Sequence, residues 1–453
     1  MSIGQLREDT RAEVTDLLRD LIRIDTTNPP GNEVKAAEYV AQTLEKEGFN
    51  CEVRESRPGR GNVITRLKGS GEKPSLLLLS HLDVVAANPQ EWSVDPFGGV
   101  VKDGFVWGRG ALDMKSLTAI EIMIMKLLKR NRARLKGDVM LVATADEEKG
   151  GEEGAGWLSR NYPEKIHADY VINEGGGLAI PANGRNLYTI QTAEKGILWF
   201  KVKAAGTPGH GSIPGAADNA ILRINRVINR LREYQPEITL IPTIREYIAQ
   251  IVSGDRGQRQ MLKTILQDPE RADAVLDELA KTDKFFAEEL RVKLKMTLTP
   301  TIIKGGVKEN IIPSECEAVF DCRVLPGQST SGAMDAIQNM LREVDFEKLK
   351  FETIEASEPS ESPLDTSLYK LITDVLKDYD PTCSVAPDML TGGTDSRFFR
   401  KMGTVCYGFH PMRPDMPYGK MKEGIHGIDE RISIENLVFG TSVLYEVVER
   451  FMT

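Results

Sequence analysis

Apolar residues divide the first half of the chain into two kinds of segment. Three segments repeat apolar residues at helical spacing, residues 11–24, 32–47 and 116–128. Three shorter runs are apolar at almost every position and have the length of strands, residues 76–79, 139–143 and 170–172. Strands that are apolar on both faces are typical of a covered sheet, and their alternation with helices predicts an α/β fold with a mainly parallel sheet. Ligands of such sheets bind beyond the carboxyl ends of the strands.

The pattern changes near residue 193, where an inserted domain is predicted. The apolar pattern from there on predicts a strand at residues 197–202, a helix at 219–231 and an alternating strand at 317–324. Residues 236–300 are charged and helix-rich, show no strand pattern, and are typical of a cap or an interface. A Ser/Pro/Glu-rich stretch at 355–363 predicts a linker, and helical spacing then indicates a return to the first domain, at residues 368–376 and 437–451.

Composition narrows the class of protein. A chain of 453 residues with 41% hydrophobic content exceeds what one core usually serves. The net charge of 58 − 67 = −9 is spread along the chain, so a nucleic acid or an anionic membrane has no electrostatic support as a partner. Residues 1–10 are polar, no apolar run reaches spanning length, and the five cysteines form no CxxC pair. We therefore expect a soluble cytoplasmic protein with reduced thiols.

Side chains that bind metals follow the predicted strands. His81 and Asp83 come directly after the run 76–79, and in extended backbone both side chains point the same way. An imidazole can then bind a metal through one nitrogen while the carboxylate holds the other. The acids Asp146, Glu147 and Glu148 follow the run 139–143, and Glu174 follows 170–172, ahead of three glycines that would let a large group approach the backbone.

Two further residues complete the candidate site. Asp113 follows a glycine-rich turn, where a helix cap is the alternative reading, and His426 lies between glycines near the C-terminus. Each feature alone has a structural explanation, but clustered carboxylates demand compensating cations or raised pKa values. With both histidines neutral, Asp113, Glu148 and Glu174 bring three negative charges against the four positive charges of two divalent cations. A bridging hydroxide would neutralise the remainder.

Eight motifs in fixed order resemble those of the M20 metallopeptidases, the group of aminoacylase, acetylornithine deacetylase, succinyl-diaminopimelate desuccinylase and glutamate carboxypeptidase. They are residues 25–31, 81–83, 108–115, 146–148, 173–175, 209–212, 392–395 and His426. The match covers nearly the whole chain. The long 236–300 segment is similar to the longer branch of the family, which includes carboxypeptidase S and N-acyl-amino-acid hydrolases.

The resemblance implies an architecture and a metal centre. It implies a catalytic domain at 1–192 and 358–453, and a ferredoxin-like α+β lid at 193–357 that carries the extra helical segment. His81 and Glu174 would hold one Zn²⁺, Glu148 and His426 the other, and Asp113 would bridge both. Co²⁺ or Mn²⁺ would be possible substitutes. Asp83 would orient His81, and the peptide bond after Asp113 is expected to be cis.

The same resemblance implies a reaction. Glu147 would take a proton from a metal-bridged water that attacks the amide of an N-acyl amino acid or short peptide with a free carboxylate. His210 would donate to the oxyanion, and the substrate-binding residues would be Arg323, Asn310, Gly393 and Thr394. The alternatives are a dipeptidase or carboxypeptidase, a deacetylase of another small amide, and a metal-bound protein that does not hydrolyse its ligand.

Three points stay open on sequence grounds. A structural salt bridge is the alternative for Arg323. His167 is expected at the surface, whereas His410 is expected to pack or to line the pocket. The partner is a small-molecule substrate, and a homodimer is compatible with the sequence.

Overall fold

The computed structural model describes residues 8–182, 184–252 and 256–453. Most of the polar N-terminal stretch, residues 1–7, lies outside the described residues. The chain folds into two compact units. The larger comprises Met1–Thr192, Ser362–Asp388 and Thr394–Thr453, and the smaller comprises Ala193–Glu361 and Met389–Gly393. That the larger unit is the catalytic domain and the smaller one a lid stays a prediction.

The helices of the described residues include every helix that the sequence predicts. They are α1 Glu8–Arg23, α2 Glu33–Glu45, α3 Lys115–Arg130, α4 Ala155–Asn161, α5 Pro163–Ile166, α6 Ala220–Arg232, α7 Pro242–Ile251, α8 Arg256–Gln267, α9 Ala272–Leu279, α10 Lys284–Leu294, α11 Thr330–Met340, α12 Ser367–Tyr379, α13 Ser396–Lys401, α14 Tyr418–Gly424 and α15 Ile434–Met452.

The strands are more numerous than the sequence predicts. They are β1 Cys51–Glu55, β2 Gly61–Leu67, β3 Leu76–His81, β4 Val100–Lys102, β5 Phe105–Trp107, β6 Val139–Thr144, β7 Tyr170–Asn173, β8 Ala179–Ala182, β9 Arg185–Glu194, β10 Gly196–Ala205, β11 Gly209–His210, β12 Thr297–Gly305, β13 Ile311–Ile312, β14 Glu315–Val324, β15 Leu349–Ser357, β16 Ser360–Glu361, β17 Ser384–Leu390, β18 Val405–Gly408 and β19 Arg431–Ser433.

The larger unit is built on a sheet whose centre is parallel, as predicted. The strands β6, β3, β7 and β18 are neighbours and run parallel, and antiparallel strands flank them on both sides. Alternate leucines of β3 enter different cores: Leu76 and Leu78 pack with helices on one face, Leu77 and Leu79 with α4 and α13 on the other. The uninterrupted apolar run is therefore explained by a sheet that is covered on both faces.

The smaller unit has a four-stranded antiparallel sheet in the order β12-β14-β10-β15. The helices α6 and α11 connect its strands and pack on one face. The chain order strand, helix, two strands, helix, strand with this spatial order is the ferredoxin-like arrangement that the sequence resemblance implies. In β14 buried residues alternate with partly exposed ones, because only one face of the sheet is covered by helices.

Two segments differ from the prediction. The helix-rich stretch 236–300 contains α7 to α10, but its last residues begin the strand β12 at Thr297. The expected linker 355–363 instead forms the end of β15 and the short strand β16. Both β12 and β15 lie at edges of the smaller unit's sheet and are largely exposed. An exposed edge strand needs no apolar alternation, so its sequence looks like that of a linker.

The cysteines and the apolar helices of the chain bear on disulfides and membrane spans. None of the five cysteines, all of which lie in the described part of the chain, forms a disulfide, and all but Cys51 are buried. Among the described residues there is no helix with both the length and the apolar character required to traverse a bilayer.

Candidate active site

The parallel strands bring most candidate ligands of the larger unit to one edge. His81 is the last residue of β3, Glu174 follows β7, and Glu147 and Glu148 follow a turn after β6. Because β6, β3 and β7 are parallel neighbours, their carboxyl ends meet at the same edge of the sheet. The apolar strands therefore fix the position from which each ligand side chain starts.

Asp113 lies between the two histidines and turns one oxygen to each. Its Oδ1 is 3.1 Å from His81 Nε2, and its Oδ2 is 3.0 Å from His426 Nε2. The Asp113–Met114 peptide bond is cis, as the resemblance implies. A carboxylate with its two oxygens facing different imidazoles has the orientation required of a ligand that bridges two cations.

Two groups of potential ligand atoms share Asp113. In the first, His81 Nε2 is also 3.7 Å from Glu174 Oε1; in the second, His426 Nε2 is 3.1 Å from Glu148 Oε2. Within each group one atom from every residue lies within 4.8 Å of the others. The five predicted ligands are thus brought together, although His426 comes from a loop far along the chain.

The electrostatics of the site reflect its excess of carboxylates. Burial raises the pKa of Glu174 well above its ordinary value, and Asp113 and Glu148 raise it further. Burial likewise raises the pKa of Glu147, and the nearby Glu174 carboxylate raises it further. Hydrogen bonds to Asp113 and Glu148 raise the pKa of His426 to about 10. Cations between these groups would reverse such shifts, because they favour the ionised acids and the neutral imidazoles.

Asp83 holds the turn that carries Glu147 and Glu148. Its Oδ1 accepts the backbone N–H of Glu147 at 3.0 Å, and its Oδ2 accepts that of Glu148 at 3.1 Å. His81 Nδ1 is 3.0 Å from the backbone carbonyl of Asp83 and 3.4 Å from its carboxylate. The residue therefore contacts His81 as expected, with its main chain closer, while its carboxylate positions the neighbouring acids.

A buried charged network lies behind that turn. Arg60 pairs with Glu33 at 3.0 Å and with Asp146, and Asn28 donates to Asp146 at 3.2 Å and to Asp83 at 2.8 Å. Asp146 adopts φ +71°, a left-handed conformation that is uncommon outside glycine. The network thus holds the start of the Glu147 turn in a conformation that its own backbone disfavours.

The three glycines after Glu174 serve the protein's own packing. A Cβ atom on Gly175 would lie 1.5 Å from the Gln191 side chain, and one on Gly176 or Gly177 would lie 2.4 Å from the backbone of Gly408 or His410. The sequence predicts that these glycines let a large group approach the backbone. In the structure that group is a neighbouring strand and loop of the same unit.

The predicted substrate residue Thr394 is buried. Its hydroxyl accepts from Asn173 at 3.2 Å and from the backbone of Ser396 at 3.2 Å. The adjacent Asp395 accepts from Thr144 at 2.6 Å, and burial raises its pKa to about 7. In this structure Thr394 has a packing role beside β7, and its contact with substrate stays a prediction.

The smaller unit carries the other predicted residues. His210 in β11 pairs with Ile311 in β13, next to Asn310, whose carbonyl accepts from Gly211 at 2.8 Å. His210 Nδ1 accepts the backbone N–H of Ser212 at 3.2 Å. The Ser212 hydroxyl lies 2.7 Å from the same nitrogen and can also donate to it. When Nδ1 accepts these bonds, a neutral imidazole carries its hydrogen on Nε2, where it is available to donate to a substrate.

Arg323 makes the salt bridge that was its alternative reading. Its Nε and Nη2 contact the two oxygens of Asp321 at 2.7 and 3.0 Å, and its guanidinium lies 5.7 Å from the centre of the Trp199 ring. A substrate carboxylate would have to share the Arg323 guanidinium with Asp321 or displace the Asp321 carboxylate from it. Gly393, the fourth predicted substrate residue, belongs to the same unit.

The two remaining histidines lie where the sequence suggested. His167 is exposed. His410 is buried with Nε2 lacking a hydrogen-bond partner, and burial lowers its pKa to about 4 while Asp113 acts in the opposite direction. A neutral, packed imidazole is the consequence.

Sequence reasoning assigned no role to several residues that hold the site. Asn28, Arg109 and Asp395 lie inside recognised motifs, so the sequence marks these positions but does not reveal their structural roles. Arg60 belongs to no motif, and its position between two glycines before an apolar strand is the only sign of it.

Known proteins resemble the chain along nearly its full length. It is 28% identical over 437 residues to a probable succinyl-diaminopimelate desuccinylase of Staphylococcus aureus strain Mu50, covering 95% of this chain and 97% of that protein. It is 24% identical to the mouse N-fatty-acyl-amino acid synthase/hydrolase PM20D1, covering 98% and 89%.

A solved structure supports the fold, and a family model supplies the identification. The M20 family metallo-carboxypeptidase Sso-CP2 of Sulfolobus solfataricus superimposes with a TM-score of 0.72 over 97% of this chain and 99% of that one, at 19% identity. The model of peptidase family M20/M25/M40 matches residues 77–450. The chain is therefore a hydrolase that belongs to peptidase family M20/M25/M40.

Proposed function

We propose that the chain is a di-zinc hydrolase that cleaves the amide bond of N-acyl amino acids or short peptides with a free carboxylate. The observation that carries the proposal is the orientation of Asp113, with Oδ1 toward His81 and Oδ2 toward His426. Glu174 completes one group of ligands and Glu148 the other. The relatives' names add N-acyl amino acids and a succinylated amine as substrate types.

The donor set fits two zinc ions. Imidazole nitrogens and carboxylate oxygens are ligands that zinc binds well. The Oε1 atom of Glu148 is buried and has no hydrogen-bond partner in the described structure, so that carboxylate has unused acceptor capacity at the site. His81 and Glu174 would hold one ion, Glu148 and His426 the other, and Asp113 both. When bound, the ions would polarise the amide carbonyl and make water more acidic.

Glu147 is suited to move the proton. Its Oε2 is 3.9 Å from His81 Nε2, and Asp83 holds its backbone. The Glu147 carboxylate takes one proton from the attacking water as the water oxygen bonds to the acyl carbon. The C–N bond then breaks, and Glu147 delivers that proton to the leaving nitrogen, which yields a carboxylic acid and an amine. Such general base and acid catalysis contributes on the order of 10²–10⁴-fold.

Three residues of the smaller unit would orient the substrate. With Nδ1 accepting from Ser212, His210 would present a hydrogen on Nε2, which suits donation to the developing oxyanion. Arg323 would bind the free carboxylate through its planar fork, with Asn310 contributing an amide. Gly393 and Thr394 would complete the pocket.

Cellular setting is a separate part of the proposal. Five cysteines that form no disulfide, four of them buried, suit the reducing cytoplasm. The partner we propose is a small-molecule substrate, without nucleic acid or membrane, and a homodimer is compatible with the chain.

The decisive experiment combines metal removal with a substrate panel. Protein treated with a chelator should lose amide hydrolysis and regain it when Zn²⁺ or Co²⁺ is added; activity that ignores both treatments would refute the metal centre. The panel should contain N-acyl amino acids of several acyl lengths, dipeptides, and matching amides without a free carboxylate. Preferred cleavage of dipeptides would favour the peptidase alternative, and preferred cleavage of acetylated amines would favour the deacetylase.

A further inference from the structure

A second carboxylate, Glu430, is fully buried beside the Asp113 segment. Its Oε1 accepts the backbone N–H groups of Leu112 at 2.6 Å and of Asp113 at 3.0 Å. Its Oε2 accepts the backbone N–H of Gly110 at 3.1 Å. Glu430 thus holds the main chain at and just before Asp113, the residue that lies between the two histidines.

Arg109 connects the same carboxylate to the His426 loop. Its Nη1 donates to Glu430 Oε2 at 2.6 Å, while Nη2 donates to the carbonyl of Gly427 at 2.9 Å and to that of His426 at 3.3 Å. Both side chains are buried, with 3% of Arg109 and none of Glu430 exposed. One ion pair therefore joins the segment of Asp113 to the loop of His426.

The His426 loop needs external support. His426 and Asp429 both adopt left-handed backbone, with φ of +59° and +56°. A non-glycine residue in that region is strained and persists when its surroundings impose that conformation. The hydrogen bond that Arg109 donates to the carbonyl of His426 is one such constraint.

Four donors converge on Glu430, and only a carboxylate accepts them all. A carboxylate offers acceptor sites on both oxygens and presents no hydrogen. A glutamine would keep one oxygen and turn its NH₂ group toward two of the donors. Glu430→Gln is therefore nearly isosteric, yet it replaces two hydrogen bonds with two unfavourable donor-to-donor contacts.

We propose that Glu430 and Arg109 are positioning residues that set the relative placement of Asp113 and His426, and so govern the metal position that those two share with Glu148. The inference rests on the proposed function, because it concerns the same metal centre. The position formed by His81 and Glu174 has no ligand on the His426 loop, so it depends on the pair only through Asp113.

The test is a zinc titration of each variant in competition with a chromophoric chelator. The wild-type protein should bind two ions. Glu430→Gln should bind one ion within about threefold of wild-type affinity and the second about 10–100-fold more weakly, the usual effect of losing a group that supports a ligand. The visible spectrum of the Co²⁺ form should report the same loss of the second ion.

Two further variants keep the inference falsifiable. Arg109 donates to Glu430 from one nitrogen and to the loop carbonyls from another, and Arg109→Lys keeps the charge but offers a single nitrogen. This variant should therefore weaken binding of the same ion, and it serves as the test if Glu430→Gln does not fold. Val375→Ala, at a buried position of α12, should lower the melting temperature and leave both affinities unchanged.

The outcomes separate the two proposals. A wild-type protein that binds no zinc overturns the proposed function. Two ions in the wild type with unchanged affinities in both Glu430→Gln and Arg109→Lys overturn the inference alone. Equal weakening of both ions in these variants also overturns it, because that is the result of a general loss of structure.

Discussion

Removal of Arg60 tests how the protein holds its active-site turn. The Arg60 and Glu33 side chains are 2% and 0% exposed, and Arg60 also pairs with Asp146. Arg60→Met keeps much of the volume but leaves two buried carboxylates without their cation. Breaking a buried ion pair on one side costs about 3–5 kcal/mol. We expect a loss of that size in the free energy of unfolding at pH 8.

The sign of the pH dependence follows from Glu33. Burial is the largest cause that raises its pKa, to about 7 from an ordinary 4.5, and Asp83 adds to it while Arg60 acts against it. A carboxyl with a raised pKa stabilises the fold below its unfolded pKa, and that contribution is lost as the pH rises through the folded value. Without Arg60 the pKa rises further. The difference in the free energy of unfolding between the wild-type protein and Arg60→Met should therefore grow between pH 5 and pH 8.

Urea unfolding followed by far-UV circular dichroism at both pH values provides the measurement. Arg66→Met is the matched control, because Arg66 lies in β2, the strand that begins directly after Arg60, and pairs with Asp138 at 2.9 Å with both side chains about a quarter to a third exposed. A partly exposed ion pair of this kind contributes about 0–1 kcal/mol. Equal losses in the two variants, or a deficit for Arg60→Met that does not change with pH, would refute the reasoning.

Three further predictions concern catalysis. Glu147→Ala should keep both metals and lose about 10²–10⁴-fold in kcat, measured beside exposed Glu152→Ala as control; undiminished turnover removes Glu147 from its role. His210→Ala should lower kcat about 10²–10³-fold with a small change in KM, because it removes a donor to the oxyanion; a change in KM alone contradicts this. Arg323→Ala should lower kcat/KM about 10- to 100-fold for substrates with a free carboxylate, and an equal loss for matched amides would show that the Asp321 salt bridge is its main task.

The central sheet and its ligands could be predicted because their signals are local. An unbroken apolar run identifies a strand covered on both faces. Because the carboxyl ends of parallel strands meet at one edge of the sheet, the residues that follow these strands lie at that edge. His81, Glu148 and Glu174 were found in this way. The edge strands β12 and β15 were missed because their pairing partners, and not their own alternation, determine their structure.

The supports of the site could not be predicted because their contacts are remote in sequence. Arg60 meets Asp146 across 86 positions, and Glu430 meets the backbone of Asp113 across 317. A lone arginine just before a strand and a lone glutamate in a loop have no pattern that distinguishes them from surface charges. Motif comparison found the residues that we propose to bind metal or to react, whereas their orientation became visible only in three dimensions.

The way Asp83 grips the Glu147 turn has a practical consequence. It acts on backbone amides, so the side chain at position 147 can be exchanged while the turn and the neighbouring Glu148 keep their anchorage. An inactive Glu147→Gln protein would then retain its natural ligand instead of consuming it. Cell extract passed over such a protein, with mass spectrometry of what stays bound, offers a direct route to the physiological substrate.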